Sequence, residues 1–546
     1  MEDYCRSAAF EARIQAMMQS YHVPGLSLAI VHEGKITSVG WGKASLNPPR
    51  PCTPDTLFDI ASCSKSLTAA SVALLVDDDE KYPEVQWDAL MSDLLPDDFV
   101  MPGVGYTESI TVDDVLSHRT GMPRHDLSYL GPLAVQTDNA RSVTRNLRNL
   151  SVCAPLRSKY MYNNMMYTVA THLVEVKAKT TFGDFLDQNF FGPLGMQSTC
   201  LQPSEARRRG FGARIGTGYD WDKETSTYLD IQWPDAPEAQ GAGLVMSSAN
   251  DLIKWVKALL HCEGPINGRV YQGLLRLRTI MESTWKGRKS KPNTTPPVYA
   301  AGLEVYTYRG QRVVSHDGSG FGFSGRFFLL PDLKFGAVFL GNADGTFDIQ
   351  SIITKDLIDE LLGVPIPERR HFRQFIGSKP PKPLKPKASR ATSKAKTPTE
   401  SEEKGALGVG SGNANITKAD SESFMPSGKS EEVKDPPAST QTAPLSAYTG
   451  PYWHPGYRMF TVGIRAEKLF IDASDRSYGF TITFDQIANE SKITGRMKYC
   501  LTAGGDGPID AEFVWENGRV VRMGLDLESC VKELIWFEKK GVDNDA

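Results

Sequence analysis

Ser62-Cys63-Ser64-Lys65 places a hydroxyl and an amine three residues apart. Positions i and i+3 of a helix are neighbours, so the spacing aims the Ser62 hydroxyl at the Lys65 amine, a nucleophile with a base beside it. Spacing alone does not select this pair, because Ser283 and Lys286, Ser393 and Lys396, and Ser401 and Lys404 repeat it. The surroundings do select it. Ser62 precedes Ser66-Leu67-Thr68-Ala69-Ala70-Ser71-Val72-Ala73-Leu74-Leu75, an apolar run that reads as a buried helix, whereas the other pairs sit among Lys, Pro and Glu.

A hydrolase built on such a pair needs a second proton-handling group, an amide to orient substrate and a strand whose N–H completes an oxyanion hole. Tyr162-Asn163-Asn164 offers a phenol and, two residues on, a carboxamide. Tyr160 and Tyr167 are near, but neither has asparagine two residues later. His316-Asp317-Gly318-Ser319 follows the apolar stretch Arg312 to Ser315, which puts a titratable ring and a glycine at a sheet edge. Other features carry blander readings. Cys63 points about 100° around a helix from Ser62 and reads as a packed thiol. His118 and His125 lack a third ligand nearby, so their loop reads as structural. The glycines between 318 and 325 lead into the aromatic strand Arg326 to Leu330 and not into a helix, which excludes a phosphate loop. No cofactor or metal is expected.

The elements that must position these groups are legible in outline. Residues 8 to 20 read as a helix, and Leu26 to Val31 with Ile36 to Trp41 as a hairpin. Thr111-Val112-Asp113-Asp114 has the form of a capped helix start, and a second helix opens at Asp251 after Ser247-Ser248. The period then becomes alternating, giving strands at 312–315, 326–330 and 335–340, and a helix from 349 to 362 closes the unit. Terminal helices framing a sheet built from both chain ends give an α+β domain with a helical insertion, assigned to residues 1–377.

Residues 378–443 are rich in Lys, Pro, Ser, Thr, Glu and Gly and are expected to be a disordered linker, since they bury too little apolar surface to offset ordering entropy. Residues 444–546 return to short alternating runs, as in Phe480-Thr481-Ile482-Thr483-Phe484, expected to form a small all-β barrel or sandwich. That unit is expected to bind a ligand or to drive homo-oligomerisation, and the sequence leaves both open. The 546 residues carry a net charge of -4, with 40% hydrophobic and 23% charged residues, which gives no reason to expect nucleic acid or an acidic membrane surface as partner. The N-terminus lacks the apolar core of a secretory signal, no run approaches a membrane span, and eight scattered cysteines read as reduced thiols, so a cytoplasmic location is expected.

Taken together, Ser62-x-x-Lys65, Tyr162-x-Asn164 and His316-x-Gly318 resemble the three motifs of the serine β-lactamase-related family, which includes class C β-lactamases, D-alanyl-D-alanine carboxypeptidases, D-aminopeptidases and esterases. Leu116 to Pro123, Gly192 to Met196, Gly241 to Leu244 and Gly320 to Ser324 resemble flanking landmarks, and the match spans roughly residues 8 to 363. Tyr448 to Tyr457 is similar to the start of the lipocalin-like β domain that some members carry. The resemblance implies a β-lactamase/transpeptidase-like fold and assigns roles. Ser62 would form an acyl-enzyme, and Lys65 would take its proton. Tyr162 would share the relay and protonate the leaving group, its phenol brought into range from a pKa near 10 by nearby cations. Asn164 would bind the substrate amide, His316 and Gly318 would line the substrate site, and the N–H groups of Ser62 and Ser319 would hold the oxyanion, worth about 2.7 to 4 kcal/mol per donor elsewhere. Many β-lactamases carry lysine where this chain has His316, so the fixed charge for a substrate carboxylate is missing and the resemblance leans toward peptidase or esterase. The expected function is thus a serine hydrolase acting on a small ester, amide or peptide. An acyltransferase using the same acyl-enzyme, and a non-catalytic scaffold, are the alternatives. Tyr129, Trp233 and Phe321 are the hints of an apolar acyl pocket.

Overall fold

The computed structural model describes residues 1–369 and 443–541, apart from 233, 282–291, 321, 490, 503 and 505. The expected linker up to 442, the boundary at 377, Trp233, Phe321 and the three alternative Ser/Lys pairs lie outside the described residues.

A nine-stranded antiparallel sheet organises the first unit. Its central strands come from opposite ends of that unit: Gly25–His32 pairs with Phe335–Gly341, Leu26 facing Gly341 and His32 facing Phe335. Lys35–Leu46 and Pro49–Pro51 extend one side. Phe323–Leu330, Gln311–Gly320, Glu304–Tyr308, Val298–Tyr299 and Thr279–Ile280 extend the other. Successive side chains of a strand point to opposite faces, and both faces are covered. Leu28 and Ile30 pack with Phe10, Ile14 and Met17 of the helix Ala8–Ser20 and with Ile349, Ile353 and Leu357 of the helix Thr346–Leu361. Ala29 and Val31 face the other way, into a core shared with the helices Ser64–Asp77, Met165–Ala178 and Ala249–His261.

Two helix starts show why the sequence breaks where it does. Thr111 caps Val112–Leu116 in a reciprocal box with Asp114, and Ser248 caps Ala249–His261 by accepting from Asp251 N. The final helix begins at Thr346, three residues before its apolar periodicity does, and the strand at 312–315 runs on to Gly320. Backbone pairing continues there through glycines that carry no apolar signal.

The second unit is a closed barrel of eight antiparallel strands, from Gly450–His454 to Ile535–Lys539, the first and last of which pair. Its alternation is strict in Lys492–Tyr499, where Ile493, Met497 and Tyr499 point inward. Closure removes the exposed edges that a small open sheet would leave. The barrel lies against the first unit: His125 Nδ1 is 2.8 Å from Tyr457 OH, His125 N donates to Glu528 Oε2 (2.9 Å), and Asn146 Nδ2 donates to Gly456 O (2.9 Å). All eight cysteines are free thiols. Among the described residues no helix is long and apolar enough to cross a membrane.

Candidate active site

Ser62 does not sit in the first turn of an α-helix, as its spacing suggested. It sits in the 3-10 turn Ala61–Cys63 that leads into the α-helix Ser64–Asp77. The tighter winding brings positions i and i+3 into register and so serves the pair better. Entry to the turn is strained, because Ala61 has φ 45°, a left-handed conformation unfavourable for a residue with a Cβ. The Asp59 carboxylate holds it by accepting from Ala61 N (2.8 Å), and burial pushes that carboxyl up to about 6. Cys63 points away from the site, its Sγ 3.4 Å from His316 O, and burial raises its thiol.

Lys65 is fully buried, and its Nζ lies 3.0 Å from Ser62 Oγ, 2.8 Å from Asn164 Oδ1 and 2.8 Å from Ala242 O. On the other side of the nucleophile, Tyr162 OH donates to Ser62 Oγ at 2.7 Å. Burial first, and the Arg124 guanidinium second, push the Lys65 amine well below its ordinary 10.5. Asn164 Oδ1 and Ala242 O can only accept, so each takes an N–H bond from Lys65 Nζ, and Ser62 Oγ lies within hydrogen-bond distance of both Nζ and the Tyr162 hydroxyl.

Behind the array stand groups that spacing did not reveal. Asn164 Nδ2 reaches both oxygens of buried Asp126 (3.1 and 3.2 Å), and Arg124 Nε lies 3.6 Å from the same carboxylate. Burial raises Asp126 against the pull of Arg124. Arg124 Cζ stands 4.9 Å from the Tyr162 ring centre and Lys65 Nζ 4.8 Å, so both basic groups flank the phenol. His118, read from sequence as structural, is buried among the rings of Tyr160, Tyr162, Tyr167 and Tyr299; its Nδ1 accepts from Asn163 N (3.1 Å).

His316 is also buried. Its Nδ1 must donate to Asp317 O (2.6 Å), and burial lowers the ring to about 3, so it is neutral and Nε2 is an acceptor for Tyr299 OH at 2.9 Å. Both ring nitrogens are therefore occupied away from the opening. Gly318 does face the nucleophile's turn: a Cβ there would overlap the Ile60 carbonyl oxygen and lie 3.3 Å from Ala61 Cβ, and one on Gly320 would lie 3.6 Å from Ala61 Cβ. The strand thus carries Ser319 past the Ser62 turn at close range. Ser62, Arg124, Tyr162 and Ser319 are half-buried, whereas Lys65, Asn164 and His316 are buried, which separates a solvent-facing front from a supporting back. Among the described residues no group of three or more His, Cys, Asp or Glu side chains could hold a metal ion.

Residues 10–357 match the family model described as Beta-lactamase. The chain belongs to the β-lactamase family. It is an enzyme, a serine hydrolase of that family by its matched domain and its relatives. Residues 434–539 match a domain of unknown function, DUF3471. This β-lactamase-family chain is 31% identical to unguisins hydrolase ungD' of Aspergillus campestris (strain IBT 28561) over 538 residues, covering 97% of this chain and 92% of that one. It is 29% identical to unguisins hydrolase ungD of Aspergillus violaceofuscus (strain CBS 115571), covering 98% and 90%. The octameric penicillin-binding protein homologue from Pyrococcus abyssi shares the fold across 97% of this chain and 99% of that one, with a TM-score of 0.57 at 17% identity.

Proposed function

We propose that this β-lactamase-family hydrolase cleaves an amide or ester through an acyl-enzyme on Ser62, with Lys65 as base and Tyr162 as acid. The observation that carries the reading is the hydrogen-bonded array of Tyr162, Ser62 and Lys65, in which burial pushes the amine well below its ordinary 10.5 and so toward the form that can take a proton.

The protons balance over a full cycle. As Ser62 Oγ bonds to the substrate carbonyl carbon, its proton passes to Lys65. When the carbonyl bond to the leaving nitrogen or oxygen breaks, Tyr162 gives that atom its proton, and the resulting phenolate lies between the Arg124 guanidinium and the Lys65 ammonium. Water then gives a proton to Tyr162 and adds to the acyl carbon. Ser62 Oγ leaves, recovering its proton from Lys65, and the starting state is restored. The N–H groups of Ser62 and Ser319 serve the oxyanion in both halves. Asn164 and His316 act from behind: Asn164 aims the Lys65 amine, and His316 holds its strand through Tyr299. A buried neutral His316 offers no fixed charge for a substrate carboxylate, which favours peptide amides or esters over β-lactam antibiotics.

Unguisins, the compounds named for the fungal relatives, are the first substrates to assay. Rapid acid quench of the native chain with an unguisin or an activated ester, followed by peptide mapping, should show the acyl mass on the Ser62 peptide. Turnover of substrate with no acyl mass there, or undiminished turnover by Ser62→Ala, would sink the proposal.

A further inference from the structure

The barrel meets the first unit at the loop that follows Arg124 and Asp126. Gly131 N donates to Asp475 O (2.9 Å), Ser477 N donates to Tyr129 O (3.2 Å), and Leu130 and Arg476 form an antiparallel bridge between them. The approach is close enough that a Cβ on Gly131 would lie 2.7 Å from Ser477 N. The turn joining the barrel strands Lys468–Ala473 and Phe480–Asn489 is therefore seated on the loop that carries Arg124 and Asp126.

The turn is also pinned from within. Arg476 is buried, donates to Tyr457 O (2.8 Å) and Met459 O (3.0 Å), pairs with Asp475 (3.0 Å), and lies 4.8 Å from the Phe460 ring centre. Ser477 also adjoins buried Glu238, on the turn Pro237–Ala239 that leads to the Ala242 carbonyl bound by Lys65. The barrel turn thus touches both the loop of Arg124 and Asp126 and the turn that leads to Ala242. Its next residue, Tyr478, is half-buried, like Ser62, Arg124, Tyr162 and Ser319. Burial above all raises the Tyr478 phenol, and the charges of Asp126 and then Arg124, with Tyr162 and Asp59, act on it as well.

We propose that Tyr478, supplied by the C-terminal barrel, is a wall of the substrate pocket and a determinant of which acyl groups reach Ser62. The proposal rests on the Ser62 acyl-enzyme reading and gives a role to the segment matched by DUF3471. An aromatic ring on a pinned turn is a preorganised surface that discriminates by size, because it neither yields to a large group nor closes on a small one.

The test uses the full chain and two fluorophosphonates that share ethoxy and fluoride groups and differ in carrying methyl or benzyl on phosphorus. Ser62 Oγ forms the P–O bond and fluoride leaves, so intact mass follows each rate without any need for turnover. Tyr478→Ala should raise the benzyl-to-methyl rate ratio by about tenfold, on the scale of size discrimination in a pocket. Tyr478→Trp should lower it below that of the native chain. Misfolding cannot produce opposite changes in a ratio, and thermal denaturation of each variant checks the fold independently. An unchanged ratio in both variants, with Ser62 still labelled, overturns the wall and leaves the acyl-enzyme reading standing. A native chain that labels with neither probe removes that reading, and the wall with it.

Discussion

The carboxamide oxygen of Asn164 accepts a 2.8 Å hydrogen bond from Lys65 Nζ, while its Nδ2 is directed to Asp126. The motif asparagine is therefore committed at both ends to protein groups, and its immediate effect is on the placement of the Lys65 amine. With Asn164 Oδ1 and Ala242 O each taking an N–H bond from it, Nζ stands 3.0 Å from Ser62 Oγ.

Lys65→Arg should be inactive rather than impaired. A guanidinium keeps its proton throughout the accessible pH range and has no lone pair to offer Ser62. Labelling of Ser62 by a fluorophosphonate should fall by about 10⁴-fold, the scale of removing one member of a nucleophile-and-base unit. Rates within tenfold of native would exclude Lys65 as the base.

The same depressed amine should appear in stability. The unfolded chain binds a proton at Lys65 up to its ordinary 10.5, whereas the folded chain has lost it well below that pH. In the window between, the unfolded state carries more protons, so stability rises with pH, by up to about 1.4 kcal/mol per unit from this group. Urea unfolding at several pH values should show that part of the slope missing in Lys65→Met. Equal slopes would mean that the amine is charged in the folded protein.

Asp126→Asn should act on kcat and leave KM nearly unchanged. Replacing the carboxylate by an amide disturbs the partner that orients Asn164 and, through it, Lys65, and small misplacements of a catalytic group cost about 10²-fold. A rise in KM alone would instead place Asp126 in substrate binding.

Gly318→Ala should be costly although the change is one methyl group. The added Cβ overlaps the Ile60 carbonyl and crowds Ala61, so the strand and the nucleophile's turn must separate. Unfolding should show a loss of about 1 to 3 kcal/mol, as overpacking does. Ser62 labelling should slow in parallel. Full stability with native labelling would show that the two segments are not pressed together.

The residues that the structure brings together at Ser62 were legible in sequence, because Ser62, Lys65 and Tyr162 each offered a chemical type at a short spacing or in a recognisable motif. Their supports were not. Arg124 and Asp126 reach the site from a loop with no periodicity, and Ala242 contributes a carbonyl that any residue would supply. Asn164 and His316 were found as residues, but their direction depends on the helix Met165–Ala178 and on Tyr299, which no motif ties to them. Alternation disclosed an all-β second unit, and its closure appears only in the pairing of Gly450–His454 with Ile535–Lys539. The seating of Asp475 to Ser477 against Tyr129 to Gly131 joins segments more than 300 residues apart, with no shared pattern to announce it.

The rate of fluorophosphonate labelling of Ser62 as a function of pH reads the protonation of Lys65 beside it. A base with a depressed amine gives a single adduct on Ser62 and a rate that rises to a plateau with a midpoint well below 10.5, the ordinary value for lysine. A midpoint near 10.5, or an adduct on any other residue, would contradict it.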